Sequence, residues 1–217
     1  MEKSVPEILE ELRRDANEAE WLFSNAGQEL QERTAVAGLL RVLGVVYQPE
    51  EIVKKGPEPV DVWFREARFQ VTEILDKGRP RNLEVKQRAK RIRSAARLQD
   101  LITPGVVLNK PIAPLELFEL ALERSCAKAT RYAGACKNID LLIYVNLRGR
   151  HLYPVDPLPD LQPLAAIGWR SVSVIMERFA LILWAEPSSP GFLYLRNGEV
   201  VEWPYLESVF PHLDACQ

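Results

Sequence analysis

The chain has 217 residues, a net charge of −2, 47% hydrophobic and 27% charged residues, which suffices for a sizeable core and excludes neither nucleic acid nor protein partners, because charge can be segregated locally. No apolar run reaches the roughly 18–20 residues that span a bilayer, and the opening MEKSVPEILEELRRDANEAEW is acidic and amphipathic, without the apolar stretch of a secretory signal. Cys126, Cys136 and Cys216 form no CxxC pair and read as free thiols, so the expected setting is the reducing cytoplasm, with no membrane partner.

Residues 5–14 read as a short helix, with Ser4 as N-cap and Val5, Ile8, Leu9 and Leu12 on one side. Residues 1–15 are then a helical extension on a single domain spanning 1–217. A longer helix is expected over 17–43, bent or broken near Gly27 and ended by Gly44. After a polar connection, residues 59–73 alternate as a hairpin. Helices follow over 82–100 and 115–133, separated by a Pro-rich loop with an extended stretch at Val106–Leu108. IDLLIYVNL, 139–147, reads as a strand buried on both faces, with Asp140 as an end cap. A short helix near 158–167, strands over 169–176 and 178–185, and a closing hairpin FLYLR–Asn197-Gly198–EVVEW complete the order. The expected architecture is one α/β domain with a mixed central sheet flanked by helices. Trp169, Trp184 and Trp203 read as core or interface residues.

The hairpin carries the chemistry. With Arg65 and Glu66 as a two-residue turn, Phe64 pairs with Ala67, Trp63 with Arg68, Val62 with Phe69, and Asp61 with Gln70. Val60, Val62, Phe64, Ala67, Phe69 and Val71 then share an apolar face, and Asp61, Trp63, Arg68, Gln70 and Thr72 the other. Asp61 and Gln70 are placed to offer oxygens to a hard cation such as Mg²⁺ or Mn²⁺, which takes one or two carboxylates and completes its shell with water and phosphate.

Downstream, Arg79, Arg81, Lys86, Arg88, Lys90, Arg91, Arg93 and Arg97 face a single acid, Glu84. Lys86, Lys90, Arg93 and Arg97 recur at helical spacing as a stripe, with Leu83, Ala89, Ile92 and Ala96 directed inward. Arg79, Arg81, Lys86, Lys90, Arg93 and Arg97 are the candidate contacts to a nucleic-acid backbone. His151 and His212 are isolated, and no GxSxG, GxGxxG or P-loop is present.

An Asp opening one hairpin strand, with an acidic or amide residue and a third polar residue on its partner, resembles the PD-(D/E)XK nuclease core, which is ordered helix, three strands, helix, strand. ELQERTAVAGLLRVLG resembles its first helix, with Glu32 the better match to the Glu that helix donates and Glu29 the second. DVWF, RFQVTEILDKGRPR and DLLIYVN further resemble a bacterial endonuclease-like family, domain of unknown function 1780, over nearly the whole chain. The resemblance implies a restriction-endonuclease-like core with extra C-terminal strands. It implies a metal at Glu32, Asp61 and Gln70, catalysis by Asp61, Gln70 and Thr72, and DNA as substrate, with room for a homodimer. Gln70 stands where Glu or Asp is usual. Thr72 stands where the pattern has Lys, a role that Lys77 or Lys86 could take over. The alternative is a catalytically inactive nucleic-acid-binding or protein-interaction module on the same fold.

Overall fold

The computed structural model describes residues 3–54, 58–102, 109–132 and 134–203; Val106–Leu108, His212 and Cys216 lie outside them. The first helix, α1 (Val5–Leu22), runs past residue 14. It starts on Pro6 in its first turn, with the Glu7 carboxylate accepting the Ser4 N–H at 2.7 Å. Residues 15–16 are helical, and the break expected near Gly27 falls at Phe23–Gly27, before α2 (Gln28–Val42). A Cβ on Gly27 would sit 2.2 Å from the Leu22 carbonyl oxygen, so the chain doubles back there only because glycine has none.

Among the described residues a seven-stranded sheet has the order β1-β2-β3-β5-β7-β8-β9. Its strands are β1 (Ile52–Val53), β2 (Val62–Phe64), β3 (Ala67–Leu75), β5 (Asp140–Asn146), β7 (Ser171–Met176), β8 (Phe179–Ala185) and β9 (Val200–Glu202). β3, β5 and β7 run parallel at the centre, and antiparallel strands flank them on both sides. The mixed sheet expected from the sequence is therefore present, and β5 lies at its middle, buried on both faces. β4 (Lys110–Ile112) and β6 (Arg150–Leu152) pair separately.

The sheet divides two cores. On one face, Val36, Leu39 and Leu40 of α2 meet Val62, Phe64, Phe69, Leu142 and Ile175. On the other, Leu117, Phe118 and Ala121 of α4 (Pro114–Arg131) meet Ile74, Leu141, Ile143 and Val174. α3 (Arg81–Ser94) packs instead on α1, through Ala16, Ala89 and Ile92. This corrects the reading of α3: the helix ends at Ser94 rather than 100, and Leu83 and Ala96 are exposed.

The last expected hairpin is also corrected. FLYLR begins in a one-turn helix, α6 (Gly191–Tyr194), whose Phe192 meets Phe64 edge-on with ring centroids 5.8 Å apart. The Asn197-Gly198 turn therefore joins a helix to β9, with the Asn197 side chain accepting the Ala185 N–H at 2.9 Å and the Gly198 N–H donating to Ile182 at 2.8 Å.

Candidate functional site

The β2–β3 hairpin keeps the expected register, Val62 to Phe69, Trp63 to Arg68 and Phe64 to Ala67. Arg65 turns it in the left-handed region (φ 52°), a conformation that non-glycine residues rarely adopt. Its guanidinium is held by Glu51 at 3.0 Å and by the Val46 carbonyl at 2.9 Å. β2 is short and β3 long, so the two strands part at Asp61. The Asp61 N–H still reaches the Phe69 carbonyl at 2.8 Å. Beyond it the carboxylate takes over from the backbone, with Asp61 Oδ2 accepting the Val71 N–H at 2.8 Å and an N–H of the Gln70 amide. Because the ladder ends here, the alternation does not extend back to Val60, which packs against the α4-side core rather than with Val62. This is a correction to the apolar face.

Glu32 approaches this fork from α2 and is only 7% exposed. Its Oε1 accepts from Gln28 Nε2 at 2.7 Å, while Oε2 is buried with no hydrogen-bond partner, 4.0 Å from Lys54 Nζ. Gln70 Oε1 is likewise buried and unpartnered. Asp61 lies between the influences of both helices. Burial pushes its carboxyl up to about 6, helped by the negative charge of Glu32 and opposed by the Val71 N–H, Lys128 and Lys54.

Asp61 and Gln70 meet at the fork through the Gln70 amide N–H, and Glu32 stands on α2 near enough for its charge to act on Asp61. Thr72 follows Gln70 on the α4 face of β3, 9% exposed. Glu29 is exposed on α2. Among the described residues no three His, Cys, Asp or Glu side chains form a metal-holding group; the acceptors that α2 and the hairpin offer around Asp61 are two carboxylates and an amide. Those oxygens suit a hard divalent cation: two lack donors, and the third belongs to a carboxylate whose ionisation is disfavoured until positive charge arrives. With the amide nitrogen now facing Asp61, Gln70 would have to turn to present its oxygen.

The basic residues after β3 are mostly engaged within the protein. Arg79 donates to Glu84 at 2.9 Å and to the Asn146 carbonyl at 3.0 Å. Arg81 pairs with Glu73 and stacks on Phe23, 3.8 Å from the ring centroid. Arg93 holds α1 through Glu20 at 2.7 Å and Asn17 at 2.9 Å. Arg97 lies beyond α3 and pairs with Asp100 at 3.1 Å. Lys86 and Lys90 are exposed. Asp140 is no simple end cap: fully buried, it accepts from the Arg68 N–H at 3.0 Å, from Ser171 Oγ at 2.8 Å and from the Arg170 guanidinium. His151 pairs with Glu177 at 2.6 Å.

Sequence reasoning missed Lys54 and Lys128. Lys54 falls in the polar connection before the hairpin. Lys128 sits on α4 between Arg124 and Arg131, at i−4 and i+3, a spacing that marks one helix face. A cleft of about 520 Å³ also opens over the later residues of the parallel strands, lined by Phe23, Glu32, Glu73, Arg81, Tyr144 and Glu177 among others, the place where open α/β sheets keep their crevices.

Residues 5–205 match the family described as "Putative endonuclease, protein of unknown function (DUF1780)". The chain belongs to that family. A solved protein of unknown function from Pseudomonas aeruginosa, described as of the monooxygenase superfamily, is similar to this DUF1780 chain at 25% identity, over 91% of this chain and 95% of that one, with a TM-score of 0.63. No curated protein matches the DUF1780 chain. None of its helices, among the described residues, is long and apolar enough to cross a membrane.

Proposed function

We propose that this DUF1780 protein is a metal-dependent endonuclease acting on DNA in the cytoplasm, with Glu32, Asp61 and Gln70 holding Mg²⁺ or Mn²⁺ at the β2–β3 fork. The observation that carries the reading is the pair of buried acceptor oxygens, Glu32 Oε2 and Gln70 Oε1, that lack donors while Asp61 beside them has its ionisation suppressed. The order α2, β1–β2–β3, α4, β5, with α3 and β4 added between β3 and α4, supports the reading, because it resembles the helix, three strands, helix, strand pattern of PD-(D/E)XK nucleases. Oxygen donors favour this reading over the chemistry named for the Pseudomonas protein, because hard cations select carboxylate and carbonyl oxygens. A bound cation supplies water activation and charge neutralisation on phosphate. The chain's own groups fix that charge: Glu32 from the helix, Asp61 from the strand end and Gln70 from its neighbour.

Electron paramagnetic resonance titration with Mn²⁺, alongside cleavage assays on duplex, single-stranded and branched DNA, tests it. The wild type is expected to bind Mn²⁺ and cut at least one substrate, and Asp61→Ala to lose both, with cleavage down by about a hundredfold or more. No cleavage of any substrate, together with unchanged Mn²⁺ binding in Asp61→Ala, overturns it. The buried Thr72 in the lysine position favours a second reading, a DNA-binding module without catalysis, which predicts salt-dependent binding and no cleavage.

A further inference from the structure

The basic residues that face the fork are not those of α3. Apart from Lys54, which pairs with Glu32 at 4.0 Å, they belong to α4, which covers the Gln70–Thr72–Ile74 face of β3. Arg124, Lys128 and Arg131 follow one another along this helix at intervals of four and three, so they form a single edge. The two outer members are already committed. Arg124 donates to the Glu73 carbonyl at 2.7 Å, tying α4 to β3, and Arg131 pairs with Glu58 at 2.7 Å, tying it to the approach to the hairpin. Lys128, between them, makes no hydrogen bond or ion pair among the described residues. Its ammonium stands 5.7 Å from the centroid of the Tyr132 ring. It is half-buried and feels the Asp61 carboxylate, which favours its charged form, while burial and the two flanking arginines oppose that form.

We infer that Lys128 is the phosphate-binding cation of the fork, contacting the phosphodiester held beside Asp61 and supplying from α4 the positive charge that Thr72 cannot supply from β3. The inference rests on the metal-site reading of the fork given above. Three observations carry it. Lys128 is the uncommitted member of a basic edge whose neighbours anchor the helix to both sides of the site. It belongs to the helix that covers the face of β3 carrying Gln70. The alternatives are badly placed: Lys77 is exposed in the loop after β3, and Lys86 is exposed on a helix that packs on α1. An ammonium on a four-carbon stem suits the role, because it can leave the Asp61 field for a phosphate without breaking a hydrogen bond. Arg124 and Arg131 cannot do so without releasing β3 or Glu58.

The test uses the full chain and a fluorescein-labelled duplex DNA in Mn²⁺, comparing wild type, Lys128→Gln, Lys128→Arg and the double variant Lys86→Gln/Lys90→Gln. Affinity is read by anisotropy across a salt series, Mn²⁺ binding by electron paramagnetic resonance, and folding by thermal melting. Lys128→Gln is expected to keep its melting temperature and Mn²⁺ affinity, to bind DNA about tenfold more weakly, and to lower the slope of log affinity against log salt by about one. Lys128→Arg is expected to restore the slope. Unchanged affinity and slope in Lys128→Gln, with the loss appearing in the α3 double variant instead, overturns the inference and leaves the metal site standing. A wild type that binds no Mn²⁺ overturns the metal site itself and is distinguishable from that result. Mn²⁺ binding lost in Lys128→Gln overturns the inference too, because it makes Lys128 a support of the metal ligands rather than a phosphate contact.

Discussion

Two aspartates flank one residue of the central sheet, and they are treated in opposite ways. Asp140 sits opposite Phe69 across the β3–β5 ladder, and Asp61 donates its N–H to the carbonyl of the same Phe69 from the other side. Asp140 is fully buried, and its oxygens are supplied by a backbone N–H, a hydroxyl and a guanidinium. Asp61 is less buried, yet both its neighbouring carboxylate and its neighbouring amide keep an oxygen without a donor. Burial alone therefore does not decide how a carboxylate is treated. The surroundings of Asp140 balance its charge, whereas at Asp61 burial and Glu32 outweigh the Val71 N–H, Lys128 and Lys54.

The largest expected effect tests the satisfied side. Asp140→Ala strands Arg170 beside an apolar sheet and should cost about 3–5 kcal/mol, a fall of roughly 10 °C in melting temperature. Mn²⁺ affinity of the folded protein should not change. A loss of Mn²⁺ binding with unchanged melting would reverse the roles assigned to the two aspartates.

Next comes the pH dependence of the unsatisfied side. The Asp61 carboxyl titrates at about 6, above its ordinary 3.8. A raised carboxyl means that the native state holds a proton the unfolded chain has released. Its contribution is fully present below about pH 4 and is lost as pH rises through about 6. Screening of the exposed part of the group reduces the contribution to about 2 kcal/mol. Denaturant titrations of wild type and Asp61→Asn across this range should differ by that slope, with the variant at least as stable as wild type at pH 7. Parallel curves would show that the fork already balances its charge.

The smallest effect isolates Glu32. Its negative charge is one cause of the raised Asp61 carboxyl. Glu32→Gln should move the Asp61 midpoint downward, read by carboxyl-detected NMR, with little change in melting temperature. A midpoint that does not move would separate the two carboxylates electrically and weaken their joint metal role.

Much of this arrangement was legible in the sequence, for local reasons. Strict alternation around Arg65-Glu66 specified the hairpin register, and the unbroken apolar run of 141–145 specified a central strand. The meeting of Asp61 with Gln70 followed from that register, whereas Glu32 entered only through a resemblance. What stayed hidden depends on partners distant in the chain. The α3 charges looked available because Glu73, Glu20 and Asn146 are not their sequence neighbours. Lys128 looked like one cation among several on a helix, and only the packing of α4 on β3 brings it to Asp61. Asn197-Gly198 was read as a hairpin turn because a turn dipeptide does not say what precedes it, and here FLYL is drawn into the core as a helix.

Gly38 sets a clearance. It lies on α2 six residues after Glu32, and a Cβ there would come within 3.0 Å of Ile175 Cδ1 on β7. The helix rides at this point directly on the Ile175 side chain, with none of its own between, so that contact sets its height over the sheet. A single methyl group at 38 would press on the far end of that side chain, which has to give by a few tenths of an ångström if α2 is to keep its seat. Position 38 thus couples the seat of α2 on β7 to the placement of Glu32 without altering any charge.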